Sequence, residues 1–318
     1  MNDIPVIDIA GLYIGGPGER KRIAAEIGAA CRGTGFFYIR GHGVSSALMS
    51  DVFRASAAFF ALPEDIKRKV LFSNATGNRG FIPMKGEALD PTKPADLKEA
   101  FNIGLDLAPD DPEIVAGARF RALNLWPSLP GFRATMLDYF NAAWRTGLLL
   151  HEAFADDLGL ERTFFARHLD RPLATLRLLH YPSRPQQIEA GQMGAGEHTD
   201  YGCVTLLATD DAGGLEVRRR DGEWLSAPHV PGAFVCNIGD CLMRWTNDIY
   251  VSTPHRVVNP AGRERYSVAF FLDPNPDAVI SCLPGCETPD RPAKYPPIRG
   301  DDYLQGKLDA TYAASGLA

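Results

Sequence analysis

Apolar residues change their spacing midway along the chain. In the first half they recur every three or four positions. Ile23, Ile27 and Cys31 sit four apart, which predicts an amphipathic helix over residues 19–32, ended by Gly33 and Gly35. Leu48, Val52, Phe59 and Phe60 predict a second helix over 46–61, and Pro63 stands where a further helix can begin, because its missing N–H costs nothing there. Phe132, Met136, Phe140, Trp144 and Leu148 form one stripe, which predicts a long helix over 131–158 with Gly159 as its stop. Two short extended pieces, residues 4–9 and 36–39, separate these helices.

The second half has a different texture. Short apolar stretches recur at 174–181, 203–208, 214–218, 233–238, 242–245, 252–258 and 266–272. Gly213-Gly214, Asp221-Gly222, Pro231-Gly232 and Gly239-Asp240 punctuate them. Strands so spaced predict a β-sandwich or barrel, and a jelly-roll-like double sheet with helices packed outside fits both halves. Residues 73–98, with Gly77, Gly80, Gly86, Pro83, Pro91 and Pro94 and few periodic apolars, read as a long loop. Loops of that length inside a compact chain are usually functional or disordered. The tail after 273 is proline-rich, with a short helix expected near 300–313. The expected organisation is an N-terminal region (4–120) carrying a lid loop at 73–98, a long supporting helix (121–170), a catalytic core (171–275) and a C-terminal tail (276–318).

Composition narrows the class. With 318 residues, 45% hydrophobic and 23% charged, the chain suits an ordinary globular protein with a substantial core. Its net charge of −6 and mixed charges show no basic stripe for nucleic acid. The run Arg218-Arg219-Arg220 leads into Asp221-Gly222-Glu223, which reads as a charged hairpin tip. The six cysteines form no CxxC pair, Met1-Asn2-Asp3-Ile4-Pro5 lacks the features of a signal peptide, and no apolar run approaches a membrane span of ~18 residues. A cytoplasmic enzyme is the expectation.

The chemistry sits in four separated pieces. In Glu197-His198-Thr199-Asp200, an extended segment would point His198 and Asp200 to one side, since residues two apart share a face. His255, in Ser252-Thr253-Pro254-His255, follows 57 residues later in another strand-like stretch and can close the set. Two imidazoles and one carboxylate leave positions open on a metal, a pattern of iron(II) oxygenases; structural zinc is closed by four ligands. Arg265-Tyr266-Ser267 places a guanidinium beside a hydroxyl, suited to a carboxylate. Tyr181-Pro182 offers a phenol toward the same group.

Taken in order, the HxD…H…RxS pattern, Tyr181-Pro182, Gly214-Leu215-Glu216-Val217, Asn237-Ile238-Gly239-Asp240 and Trp245-Thr246-Asn247-Asp248 resemble the isopenicillin N synthase-like family of 2-oxoglutarate- and iron(II)-dependent dioxygenases. Ile4-Pro5-Val6-Ile7-Asp8, Gly35-Phe36-Phe37-Tyr38 and Gly41-His42-Gly43-Val44 resemble its N-terminal region, so the similarity spans residues 4–275. The resemblance implies a double-stranded β-helix with a long supporting helix. It implies that His198, Asp200 and His255 hold Fe(II), and that Arg265, Ser267 and Tyr181 hold the C5 carboxylate of 2-oxoglutarate. The implied reaction consumes O2 and 2-oxoglutarate, releases succinate and CO2, and hydroxylates a small organic substrate.

Two other readings stay open on the residues: an Fe(II) oxidase of the same fold, a cyclase or desaturase that uses no 2-oxoglutarate, and a non-catalytic small-molecule binding protein. His180 stands where related chains often carry Asn-Tyr-Tyr-Pro, and is expected to affect bonding around the cosubstrate. Phe101 and Arg79 are candidates for a lid or substrate wall, and Asn237, Leu206 and Phe271 for the cavity or plain core. His42 is expected to be structural, and His151, His168 and His229 to lie at the surface or at helix ends. Oligomeric state and the identity of the substrate are not readable.

Overall fold

The structure, a computed structural model, describes residues 4–73, 77–90, 92–187 and 189–313, with side chains to residue 309. Positions 1–3, 74–76, 91, 188 and 314–318 of the regions read above lie outside the described residues. The N-terminal region runs β1 (Val6–Asp8), α1 (Ala10–Ile14), α2 (Pro17–Gly33), β2 (Phe36–Arg40), α3 (Ser46–Phe60), α4 (Glu64–Lys67), β3 (Gly80–Ile82), β4 (Glu99–Gly104) and α5 (Pro112–Val115). The long helix α6 (Phe132–Leu158) follows. The second half runs β5 (Thr175–Tyr181), β6 (Ala195–His198), β7 (Val204–Thr209), β8 (Leu215–Arg218), β9 (Trp224–Ser226), β10 (Phe234–Ile238), α7 (Asp240–Trp245), β11 (His255–Val257) and β12 (Arg265–Leu272). A small ribbon of β13 (Val279–Ile280) and β14 (Ile298–Arg299) leads into α8 (Gly300–Ala313).

Two sheets form the double-stranded β-helix. The larger has the order β1-β2-β10-β7-β12-β5-β4-β3, and the smaller β6-β11-β8-β9. Strand alternation sorts the larger sheet into two faces. Leu176, Leu178, Leu206, Val268 and Phe270 join the core under the helices. Leu179, Tyr181, Val235 and Ala269 turn to the inner core, where Leu215, Val217 and Val257 of the smaller sheet meet them. Helix α6 supports the outer face: the Phe140 ring stands edge-on to Phe270, centroids 5.1 Å apart. Ser45 caps α3 by accepting from the Leu48 amide at 3.1 Å, and Ile23, Ile27 and Cys31 bury the inner stripe of α2.

Three sequence expectations change. Residues 242–245 are helical, part of α7; Cys241, Leu242 and Trp245 are buried at helical spacing, so an apolar run too short to reveal its period misled. Residues 73–98 are not wholly a loop, because β3 pairs with β4 inside the larger sheet. The N-terminal half supplies more than the two strands expected at 4–9 and 36–39, which are β1 and β2: β3 and β4 also join that sheet. Strand β4 escaped notice because Glu99 and Asn102 are buried polar residues that break its apolar pattern. The charged tip at 218–223 is the turn of the β8–β9 hairpin. Among the described residues no helix is long and apolar enough to cross a membrane.

Candidate functional site

The space between the two sheets is a cavity, and one wall carries His198, Asp200 and His255. Strands β6 and β11 are antiparallel neighbours, with His198 directly opposite His255 and ring centroids 4.3 Å apart. Asp200 follows two residues after His198, and its Oδ1 lies 3.8 Å from His198 Nε2 and 3.6 Å from His255 Nε2. One donor atom from each residue falls within 4.8 Å of the other two.

Each of these side chains is held by its far end. His198 Nδ1 faces the Gly196 carbonyl at 2.8 Å and His255 Nδ1 the Thr253 carbonyl at 3.2 Å, which leaves both Nε2 atoms turned to the cavity. Thr205 donates to Asp200 Oδ2 at 2.5 Å and Asn237 at 2.7 Å, which leaves Oδ1 for the imidazoles. Such outer bonds orient ligands in metal sites. Burial, with His255 alongside, pushes His198 down to about 3, so its imidazole is neutral and free to ligate. Burial opposes ionisation of Asp200, yet the two histidines and the bonds from Asn237 and Thr205 hold it below the usual carboxylate range. Two imidazole nitrogens and one carboxylate oxygen on one side, with the other side open to a cavity, fit Fe(II) with room for two further occupants.

The same cavity holds an unpaired cation. Arg265 is 1% exposed, and among the described residues no carboxylate pairs with it. Its Nε donates to the Gly213 carbonyl at 2.8 Å, its Nη1 to Ser267 Oγ at 3.0 Å, and its guanidinium lies 4.7 Å over the Tyr181 ring. Gly214 makes that carbonyl available: it sits at φ +88°, and a Cβ there would meet the Val258 carbonyl at 2.3 Å. Arg265 pairs across the sheet with Tyr181, and Ser267 with Leu179, so period-two alternation brings all three functional side chains into the cavity. A buried guanidinium without a counter-ion is costly, and the carboxylate of a keto acid would neutralise it.

Other sequence candidates are sorted by sheet face. His180 turns away from the cavity: its Nδ1 bonds Glu99 Oε1 at 2.7 Å and its ring stacks on Tyr266 at 4.7 Å, so it does not reach a cosubstrate beside Arg265. Phe101 is also on the helix side, packed against Phe59 at 4.6 Å. Arg79 runs beneath Gly104 and bonds the Gly77 carbonyl at 2.9 Å. Their neighbours Asn78 and Asn102 line the cavity instead. Leu206 is core, whereas Asn237 and Phe271 line the cavity. His151 is buried rather than superficial, with Nδ1 on the Gly147 carbonyl at 2.7 Å. His168 ends a short helical turn and His229 is half-buried beside Thr209. His42 bonds the Gly232 carbonyl at 3.1 Å and packs on Phe234.

Sequence reasoning missed Thr205, Arg177, Glu87, Tyr201, Asp273, Leu304 and Leu308, all of which line the cavity. Arg177 and Asp273 left a local signal, each two residues from a cavity-facing neighbour on the same strand face, Leu179 and Phe271; the rest converge only through folding.

Comparison with known proteins agrees with this geometry. Residues 4–129 match the family described as non-haem dioxygenase in morphine synthesis N-terminal, and residues 172–274 match the 2OG-Fe(II) oxygenase superfamily. A 2-oxoglutarate-Fe(II) type oxidoreductase of Emericella nidulans, hxnY, is 36% identical over 97% of this chain and 90% of its own. Kihadalactone A synthase LFS of Citrus sinensis is 35% identical over 96% of this chain and 93% of its own. The structure of a full-length Neurospora crassa protein in complex with alpha-KG and thymine superposes with a TM-score of 0.87 at 33% identity, covering 97% of each chain. With its jelly roll, its His-Asp-His cluster and its similarity to these enzymes along nearly its full length, the chain belongs to the 2-oxoglutarate- and Fe(II)-dependent dioxygenases.

Proposed function

We propose that His198, Asp200 and His255 ligate the Fe(II) of this dioxygenase, and that Arg265, Ser267 and Tyr181 hold the distal carboxylate of 2-oxoglutarate. One observation carries the reading: the open three-donor cluster and the unpaired buried Arg265 face one cavity. When bound, iron and 2-oxoglutarate together with O2 supply an oxidant for an unactivated C–H bond and release succinate and CO2. The chain's own part is positional. Thr205 and Asn237 fix the Asp200 carboxylate, Ser267 and the Gly213 carbonyl fix the Arg265 fork, and Leu179, Leu215 and Val257 keep that end of the cavity apolar.

The substrate in this reading is a small organic molecule at the end of the cavity lined by Asn78, Asn102, Phe271 and Asp273, and hydroxylation is its principal outcome. Residues 171–275 act as the catalytic core, the 4–120 region and, from the C-terminal tail, Leu304 and Leu308 supply walls of the substrate end, and the long helix in 121–170 supports both. A cytoplasmic location belongs to the same reading; the six thiols are unpaired, which suits a reducing compartment.

The test is succinate formation by the Fe(II)-loaded protein with 2-oxoglutarate under air. Slow succinate release that requires 2-oxoglutarate is expected even without substrate, and Arg265→Ala should raise the KM for 2-oxoglutarate about tenfold or more, the consequence of losing a charge-assisted pair. Iron binding without any succinate would favour instead the oxidase that needs no 2-oxoglutarate.

A further inference from the structure

The cavity contains a second unpartnered ionisable group, at the opposite end from Arg265. Asp273 follows β12, the strand whose residues Arg265, Ser267, Ala269 and Phe271 alternate into the cavity, and it continues that face. It is 8% exposed, lines the cavity, and among the described residues receives no hydrogen bond and no ion pair. Buried carboxylates are normally satisfied, so one left open to a cavity marks a place for a donor from outside the chain.

Its position ties it to the reaction. The carboxylate lies over the backbone of Gly202, where a Cβ would come within 1.8 Å of Oδ1, and Gly202 is two residues past Asp200. Glycine at that position is what lets the acid lie beside the metal cluster. Burial, reinforced by the charge of Asp200, pushes Asp273 up to about 7, as expected of an acid with no partner of its own. Around it the walls are apolar or aromatic: Phe271 on the sheet, Tyr201 after the metal cluster, and Leu304 and Leu308 from α8. Helix α8 is fastened there by Lys307, which bonds Asp240 Oδ2 at 2.6 Å, the oxygen that also accepts from Thr199 at 3.0 Å.

We propose that Asp273 orients the substrate, accepting a hydrogen bond from an N–H, ammonium or hydroxyl donor on a compact molecule whose apolar body lies against Phe271, Leu304 and Leu308. The proposal rests on the site assignment made above, since it places the donor-bearing molecule next to His198, Asp200 and His255.

The test uses the full chain loaded with Fe(II) and 2-oxoglutarate without O2. Binding is read by calorimetry for three pairs of probes: indole and 1-methylindole, benzyl alcohol and benzyl methyl ether, benzamide and N,N-dimethylbenzamide. In the parent protein the donor-bearing member of at least one pair should bind about tenfold tighter than its methylated partner, the scale of one hydrogen bond to a charged group. Asp273→Ala should bring the two members to within about threefold, and Asp273→Asn, of equal size and with the least risk to folding, should reduce the preference in the same direction. Equal binding within every pair, no binding by any donor-bearing probe, or a preference undiminished in both variants would overturn the proposal. The absorption band of the iron–2-oxoglutarate complex, recorded in the same samples, reports separately on the site assignment, and the calorimetric comparison stands whether or not the band forms.

Discussion

Asp200 illustrates how much of a metal site is built by residues that never touch the metal. A free carboxylate offers two equivalent oxygens; here Thr205 and Asn237 occupy Oδ2 and leave Oδ1 facing two imidazole nitrogens. Removing one of those donors loosens the orientation without removing a ligand. Asn237→Ala should therefore weaken Fe(II) affinity by roughly 10- to 100-fold while the KM for 2-oxoglutarate, set around Arg265, stays within about twofold. Anaerobic iron titration and steady-state kinetics check the two halves separately; unchanged iron affinity would mean that Asp200 needs no help. The sequence exposes His198 and Asp200 because a spacing of two is a local rule, valid within one extended segment. It does not expose Thr205 or Asn237 as their supports, because those come from β7 and β10, which meet only in the folded sheet.

At the scale of elements, period two governs most of what was legible and most of what was not. On β5 it separates Tyr181 and Leu179, which face the cavity, from His180, which faces the helices; knowing the face of Tyr181 already fixes that of His180. On β4 the same rule sends Asn102 to the cavity and Phe101 to the aromatic cluster of Phe59 and Phe132, but the strand itself was hidden by its buried polar residues. Helix α6 was legible from its stripe, yet the stripe said nothing of His151, which lies on the buried side. Burial pushes that imidazole down to about 4 from an ordinary value of 6.5. The unfolded chain then takes up a proton near pH 6.5 that the folded chain refuses, so this contribution is complete above pH 6.5 and is lost as pH falls toward 4. It amounts to at most about 3 kcal/mol. Chemical denaturation of His151→Leu should show a flatter stability profile between pH 4 and 6.5 than the parent; parallel profiles would mean the buried imidazole titrates normally.

For the molecule as a whole, the second half of the sequence announces its architecture through turn residues at regular intervals, and the double sheet follows. The first half announces helices and the strands β1 and β2, and conceals that it supplies two more, β3 and β4, to the larger sheet. This difference has a physical origin. Helices α2, α3 and α6 are amphipathic because one side meets the core and the other solvent, whereas β4 is buried along its whole length and shows no alternation. The cavity inherits the same limit. Its cosubstrate end lies mostly within β5 and β12, neighbouring strands with a readable motif. Its substrate end is assembled from β4, β12, the segment after β6 and α8, so Asn102, Asp273, Tyr201 and Leu304 meet across more than 200 positions of sequence.

The central claim is that one cavity holds iron on His198, Asp200 and His255 and 2-oxoglutarate on Arg265. It is tested most directly by anaerobic titration of Fe(II) and then 2-oxoglutarate, following the absorption band of their complex in the parent, His198→Ala and Arg265→Ala. The account predicts a band at one iron per chain in the parent and no band in His198→Ala. In Arg265→Ala it predicts a band reached only at about tenfold or more higher 2-oxoglutarate. A band of full intensity and parental affinity in both variants would contradict it.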